Sequence, residues 1–71
     1  MKLKFTHHAQ YRMDERGIAV SNIKSALKNP DSVGSVSSRT FIARKNIGGK
    51  TLEVVYVKDQ SEFVIITIYE I

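Results

Sequence analysis

A histidine and two arginines stand four residues apart near the start of this chain, at His8, Arg12 and Arg16. If the segment is helical, positions i, i+4 and i+8 share one face, so the imidazole and both guanidiniums point the same way. An imidazole can move a proton near neutral pH, and a guanidinium can bind two phosphate oxygens at once. The spacing predicts a phosphate-binding surface, here called the basic stripe (His8, Arg12 and Arg16).

RNA cleavage without a metal or organic cofactor is the reaction that these residue types suit. It needs a base for the 2'-hydroxyl proton, an acid for the departing 5'-oxygen and cations for the charged phosphorane. His8 is the candidate acid or base, and Arg12 and Arg16 are the candidate phosphate clamps. Arg44 and Lys45, on a later predicted strand, are further candidates for nucleic-acid contacts.

Two tyrosines and a threonine complete the candidates. Tyr56 and Tyr69 could donate a proton or stack on a base, and Tyr56 is the one assigned to the catalytic set with Thr67, whose hydroxyl could meet a phosphate. Structural alternatives stay open. Strand tyrosines and threonines commonly pack in cores, and a histidine at a helix start can bond a loop carbonyl. An arginine such as Arg16 can stabilise its own helix end or pair with a neighbouring acid.

A metal site is not expected. His7 and His8 are adjacent, and neighbours on a helix diverge by about 100°. The chain has no cysteine, which excludes disulfides and thiolate ligands and fits a cytoplasmic location. The first residues lack the apolar region of a signal peptide, and the longest apolar run is too short for a membrane span.

The net charge of +4 is unevenly distributed along the 71 residues. Residues 1–50 hold ten basic side chains against three acidic ones, whereas residues 51–71 hold one against four. We expect the positive field to be concentrated on what the first fifty residues build, with a polyanion as its partner. The alternative is a basic domain that binds nothing in particular.

Local signals place the stripe on the first of two helices. Thr6 is a predicted N-cap for a helix over His7–Arg16, and Gly17 is a predicted left-handed stop. Ser21 is a predicted N-cap for a second helix, Asn22–Lys28, which Asn29 and Pro30 end.

Period-two patterns predict strands around the helices. A short edge strand precedes the first helix, at Met1–Phe5, and Asp31–Ser38 is a predicted polar loop. Three strands follow, at Thr40–Ile47, Leu52–Lys58 and Phe63–Ile71. In the last of these, Val64, Ile66 and Ile68 alternate with Phe63, Ile65, Thr67, Tyr69 and Ile71, so a central or covered position is expected. The pattern predicts one α+β domain over residues 1–71, a helix hairpin on a three- to four-stranded antiparallel sheet.

The motif His-x3-Arg-Met-x2-Arg-Gly-Ile, realised from His8 to Ile18, resembles the domain-of-unknown-function family 4258. The flanking Phe5-Thr6-His7 and the later Ala26-Leu27-Lys28-Asn29-Pro30 extend the resemblance along the chain. That family looks related to RelE and ParE type toxins within the barnase, EndoU, colicin and RelE-like ribonucleases. The resemblance implies a RelE-like fold and a toxin-like endoribonuclease.

The alternative function is a non-catalytic module of ParE-like type that binds nucleic acid or protein through the same basic face. The expected partners are RNA, free or on the ribosome, an antitoxin protein and a second copy of the chain. No membrane is expected among them. A bare structural domain whose dimer interface covers the stripe is a third interpretation.

Overall fold

The first helix, α1 (His7–Arg16), has the predicted bounds in a computed structural model that describes residues 1–71. The Thr6 hydroxyl accepts a hydrogen bond from the Ala9 N–H at 3.1 Å, which satisfies a donor that the first turn leaves free. Gly17 ends the helix at φ 65°, a left-handed conformation that glycine adopts without strain. Both predicted end signals are confirmed.

The second helix, α2 (Val20–Lys28), begins two residues earlier than predicted. Its N-cap is Ala19, with extended backbone and no side-chain hydrogen bond, so the prediction of Ser21 as the cap is wrong. The Ala19 carbonyl accepts from the N–H groups of Asn22 and Ile23, so the first turn closes before Ser21 can act as a cap. The helix ends at Asn29, as predicted.

Five strands form one mixed sheet in the order β1-β5-β4-β3-β2. Their bounds are β1 Lys2–Phe5, β2 Ser32–Ser35, β3 Thr40–Ile47, β4 Lys50–Asp59 and β5 Glu62–Glu70. The α+β class and the edge position of the first strand are confirmed. The sheet differs from the predicted three- to four-stranded antiparallel one, because β1 pairs parallel to β5 and β2 forms within the predicted loop.

Both differences arise from pairing that local patterns do not encode. β1 and β5 are joined by the whole of the intervening chain, so no short turn forces them to be antiparallel. β2 has the sequence Ser-Val-Gly-Ser and is held by its backbone ladder to β3. β2 shows no apolar alternation, since its side chains are mostly exposed on both faces.

The helices cover one side of the sheet, here called the helix face, and leave the other side, the open face, uncovered. The helix face carries the core, whose fully buried large side chains are Ile23, Val54, Ile65 and Ile68. Because residues paired across strands share a face, Ile42, Val55 and Val57 lie on the open face, where they are half-buried. β5 lies between β1 and β4, so it is an interior strand, as the prediction of a central or covered position requires, although β4 is the middle strand of the five.

A β-bulge in β5 changes which side chains face the helices. The alternation of faces before the bulge is reversed after it. Tyr56 pairs with Ile65 and the preceding Val55 pairs with Thr67, so Ile66 is the extra residue. One inserted residue reverses the facing of every side chain after it. Phe63 and Ile65 therefore face the helices, whereas Thr67 and Tyr69 face the open side, although unbroken alternation puts all four on one face.

Candidate functional site

The basic stripe meets the sheet where Arg12 lies over the ring of Tyr69. The guanidinium carbon is 5.2 Å from the ring centroid, a distance typical of cation–π contacts. β1 pairs only with Glu62–Ile65, so the second half of β5 has no strand beside it there, and α1 packs against β5 instead. Arg12 is half-buried by this contact, while Tyr69 remains 43% exposed.

The other two residues of the stripe are more accessible. His8 is exposed in the first turn of α1, and its side chain makes no hydrogen bond within the chain. The alternative of a histidine bonded to a loop carbonyl is therefore not what the structure shows. Arg16 occupies the last turn, where a cation is favoured by the helix dipole, and its side chain is 52% exposed.

Glu15 links the two arginines of the stripe. Its carboxylate lies 3.5 Å from Nη1 of Arg12 and 3.9 Å from Nε of Arg16, and it accepts a hydrogen bond from the Tyr11 hydroxyl at 3.4 Å. The suggested pairing of Arg16 with an adjacent acid is thus present. A phosphate that approaches the stripe must compete with this carboxylate for both guanidiniums.

Two polar atoms without partners lie around the same contact. Nε of Arg12 and the Thr67 hydroxyl are both buried and make no hydrogen bond. Thr67 precedes Tyr69 by two residues on the open face, opposite Val55 of β4. A buried polar group left unpaired costs roughly 1–3 kcal/mol, so this part of the molecule carries hydrogen-bonding capacity that the fold does not use.

A row of polar side chains crosses the open face from Tyr69 on β5 to β3. Tyr69 is directly opposite Glu53 on β4, and Glu53 is directly opposite Arg44 on β3. Nε of Arg44 donates to the Glu53 carboxylate. The row therefore runs Arg44, Glu53, Tyr69, Arg12 across three strands and a helix.

Two predicted site residues lie on the helix face instead. Lys45 donates through Nζ to the Asn29 carbonyl at 2.8 Å, beside the end of α2. Tyr56 packs between Phe41 and Phe63, with ring centroids 5.8 and 5.4 Å away, and burial raises the pKa of its hydroxyl. The structure brings Arg12 of the stripe against Tyr69, two residues from Thr67, and links Arg44 to Tyr69 through Glu53. Tyr56 and Lys45 lie on the other face of the sheet.

The acidic second half of the sequence forms ion pairs with four basic side chains of the first half. Glu62 lies 3.5 Å from Lys2 and 3.7 Å from Lys4, and Asp59 lies 3.5 Å from Arg39. Glu53 plays the same role for Arg44, and sequence reasoning missed it as a site neighbour. The sequence did contain a signal for it: Glu53 is two residues before Val55 and four before Val57, so alternation along β4 puts all three on one face.

The stripe and the polar row lie on the surface rather than in a cleft. One shallow cleft lies beside the turn between the helices and is lined partly by Asn22, Lys50 and Glu70. Another lies beside Phe5, Gln10 and Val20. Neither includes a residue of the basic stripe. No group of three or more histidine, aspartate or glutamate side chains is close enough together to hold a metal ion.

Fold and site together define a small α+β domain in which a helix with a basic stripe packs beside the last strand of a five-stranded sheet. The chain belongs to the family described as Domain of unknown function (DUF4258), whose sequence model matches residues 5–70. No curated protein and no solved structure gives a significant match. Neither helix has the length and apolar character needed to cross a membrane.

Proposed function

We propose that this protein is a toxin-like, metal-independent endoribonuclease. The observation that carries the proposal is the contact of Arg12 with Tyr69. It joins a stripe that holds an exposed imidazole to a strand end that holds an accessible aromatic ring and an unpaired hydroxyl. These are the groups that RNA cleavage uses for proton transfer, phosphate binding and base stacking.

In the proposed reaction the RNA 2'-oxygen attacks the adjacent phosphorus. The bond from O2' to phosphorus forms, the bond from phosphorus to O5' breaks, and the products carry a 2',3'-cyclic phosphate and a 5'-hydroxyl. As a base, His8 takes the 2'-hydroxyl proton while the Tyr69 phenol gives a proton to O5'. As an acid, His8 gives the proton to O5' while a solvent water takes the 2'-hydroxyl proton. Arg12 and Arg16 hold the phosphate oxygens.

In this proposal Tyr69 has the catalytic role that the sequence analysis assigned to Tyr56. Its ring lies against Arg12 and is accessible on the open face, whereas Tyr56 is enclosed by two phenylalanines on the helix face. The Tyr69 phenol is the proton donor that this geometry offers beside the stripe, and its ring offers a surface for an unpaired base. The relation to RelE-type toxins that the sequence motif implies for the family favours the same class of reaction, with RNA, free or ribosome-bound, as the substrate and an antitoxin protein as a partner.

The test compares wild type with His8→Ala on a mixed RNA pool in EDTA, and in parallel on ribosomes engaged with messenger RNA. His7→Ala is the matched control, because it removes an adjacent exposed imidazole that points away from the stripe. Wild type and His7→Ala are expected to cut and leave cyclic phosphate ends. His8→Ala should lose roughly 10²–10⁴-fold in rate, the usual worth of one acid or base. A folded wild type inert on both substrates would overturn the proposal.

A non-catalytic binding module is the second candidate, favoured by the absence of any hydrogen bond that would orient His8. In that case Arg12→Ala and Arg16→Ala should each lower RNA affinity and reduce the salt dependence by about one counterion. His8→Ala should bind like wild type. Affinity that does not change with salt would count against this candidate.

A further inference from the structure

The sheet has two free edges, and they differ in how they are protected. Lys2 and Lys4 alternate along β1, and charged side chains on an edge strand discourage pairing with other chains. β2 carries no such side chain. The run from Ser32 to Ser38 contains only serine, valine and glycine, and Val33 and Val36 are 52% and 60% exposed.

The direction of the β2 backbone groups follows from its ladder with β3. The Val36 N–H donates to the Thr40 carbonyl at 2.8 Å, in continuation of the register that pairs Ser35 with Phe41. Because the groups of alternate residues point to opposite sides of an antiparallel strand, those of Ser32 and Gly34 face β3. The N–H and C=O groups of Val33 and Ser35 point outward, where the sheet has no further strand.

We propose that β2 pairs with β2 of a second copy of this chain, antiparallel and about a two-fold axis, so that two sheets become one continuous sheet of ten strands. The outward groups of Val33 and Ser35 supply the hydrogen bonds between the copies. The contact is isologous and uses the free edge of each copy, so it closes at a dimer.

Charge complementarity selects a second copy as the occupant. The uncharged run is bounded by Asp31 at one end and Arg39 at the other, both with exposed side chains. Within one copy Arg39 lies 3.5 Å from Asp59, and the Asp31 carboxylate accepts a hydrogen bond from the Asn46 N–H at 2.7 Å, yet both side chains remain exposed. When two such strands run antiparallel, Asp31 of each copy lies toward Arg39 of the other. An acidic peptide would meet Asp31 at one end and no basic residue along the run itself, so it gains less from this edge than a second copy does.

Two substitutions test the backbone pairing directly. Val33→Pro removes an outward N–H while leaving the ladder to β3 intact, and Val33→Lys adds a charge to the edge. Val33→Ala retains the N–H and removes most of the side chain. Ser38→Lys adds the same charge just beyond the strand and is the matched control for Val33→Lys.

The measurement is the mass in solution by sedimentation over a wide range of protein concentrations, with circular dichroism to check the fold. Wild type, Val33→Ala and Ser38→Lys should reach twice the chain mass, while Val33→Pro and Val33→Lys should stay at the mass of one chain. A wild type that remains monomeric at every concentration would overturn the inference. So would a folded Val33→Lys that dimerises like wild type, or assembly beyond a dimer. RNA cleavage does not enter this test.

Discussion

The hydroxyl of Thr6 donates a hydrogen bond to the carbonyl of Ile66 at 2.9 Å, across 60 positions of sequence. Ile66 is the extra residue of the β5 bulge, and the same hydroxyl accepts from the Ala9 N–H. The Thr6 side chain therefore caps the start of α1 and also holds the bulge residue of β5. The contact between Arg12 and Tyr69 depends on both.

Thr6→Val should lower the free energy of unfolding by about 1–2 kcal/mol, the usual effect of losing a helix cap. Valine retains the branched shape but can neither accept from Ala9 nor donate to Ile66. Urea denaturation followed by circular dichroism measures the change. An unfolding free energy equal to that of wild type would show that the two hydrogen bonds contribute nothing.

Thr67→Val should have the opposite effect on stability. The Thr67 hydroxyl is buried without a partner, so a methyl group of similar size removes a desolvation cost and should raise the free energy of unfolding by about 1 kcal/mol. The same urea experiment measures it, with Thr6→Val as the matched threonine whose hydroxyl is satisfied. Loss of stability in Thr67→Val would mean that the hydroxyl has a partner.

Tyr56 should make the fold less stable at alkaline pH. Burial raises the pKa of its hydroxyl above the ordinary value of 10.0 because the charged form loses hydration. Above pH 10 the unfolded chain gives up this proton before the folded one does, so stability is complete below pH 10 and falls as pH rises toward the folded pKa. Tyr56→Phe should reduce that loss in denaturation at a series of pH values. An unchanged alkaline loss in Tyr56→Phe would contradict the prediction.

Glu15→Gln should strengthen RNA binding. The Glu15 carboxylate lies near both Arg12 and Arg16, and its neutralisation frees both guanidiniums for phosphate. The matched control is Asp14→Asn, which makes the same change of charge at an exposed neighbour that forms no ion pair. Affinity measured at several salt concentrations should rise more for Glu15→Gln than for Asp14→Asn. Equal gains would mean that only net charge matters.

The α1 segment was predictable because its signals are local. Thr6 caps an N–H three residues away, Gly17 ends the helix directly after Arg16, and the four-residue spacing alone puts His8, Arg12 and Arg16 on one face. Each of these interactions closes within a turn or two of helix, so the sequence specifies them without reference to the rest of the chain. The α2 start was missed because Ser21 is only one of several residues that can begin a turn, and the backbone of Ala19 closed it first.

The sequence by itself determined the class of fold, the basic stripe and the interior place of β5. Only the tertiary structure decided which residues of the sheet the basic stripe contacts. Both halves of β5 are apolar enough for either face, so alternation cannot locate the bulge at Ile66, and a shift of one residue moves Tyr69 from the helices to the open face. The pairing of β1 with β5 and of β2 with β3 likewise depends on contacts between distant segments, which a local pattern does not contain.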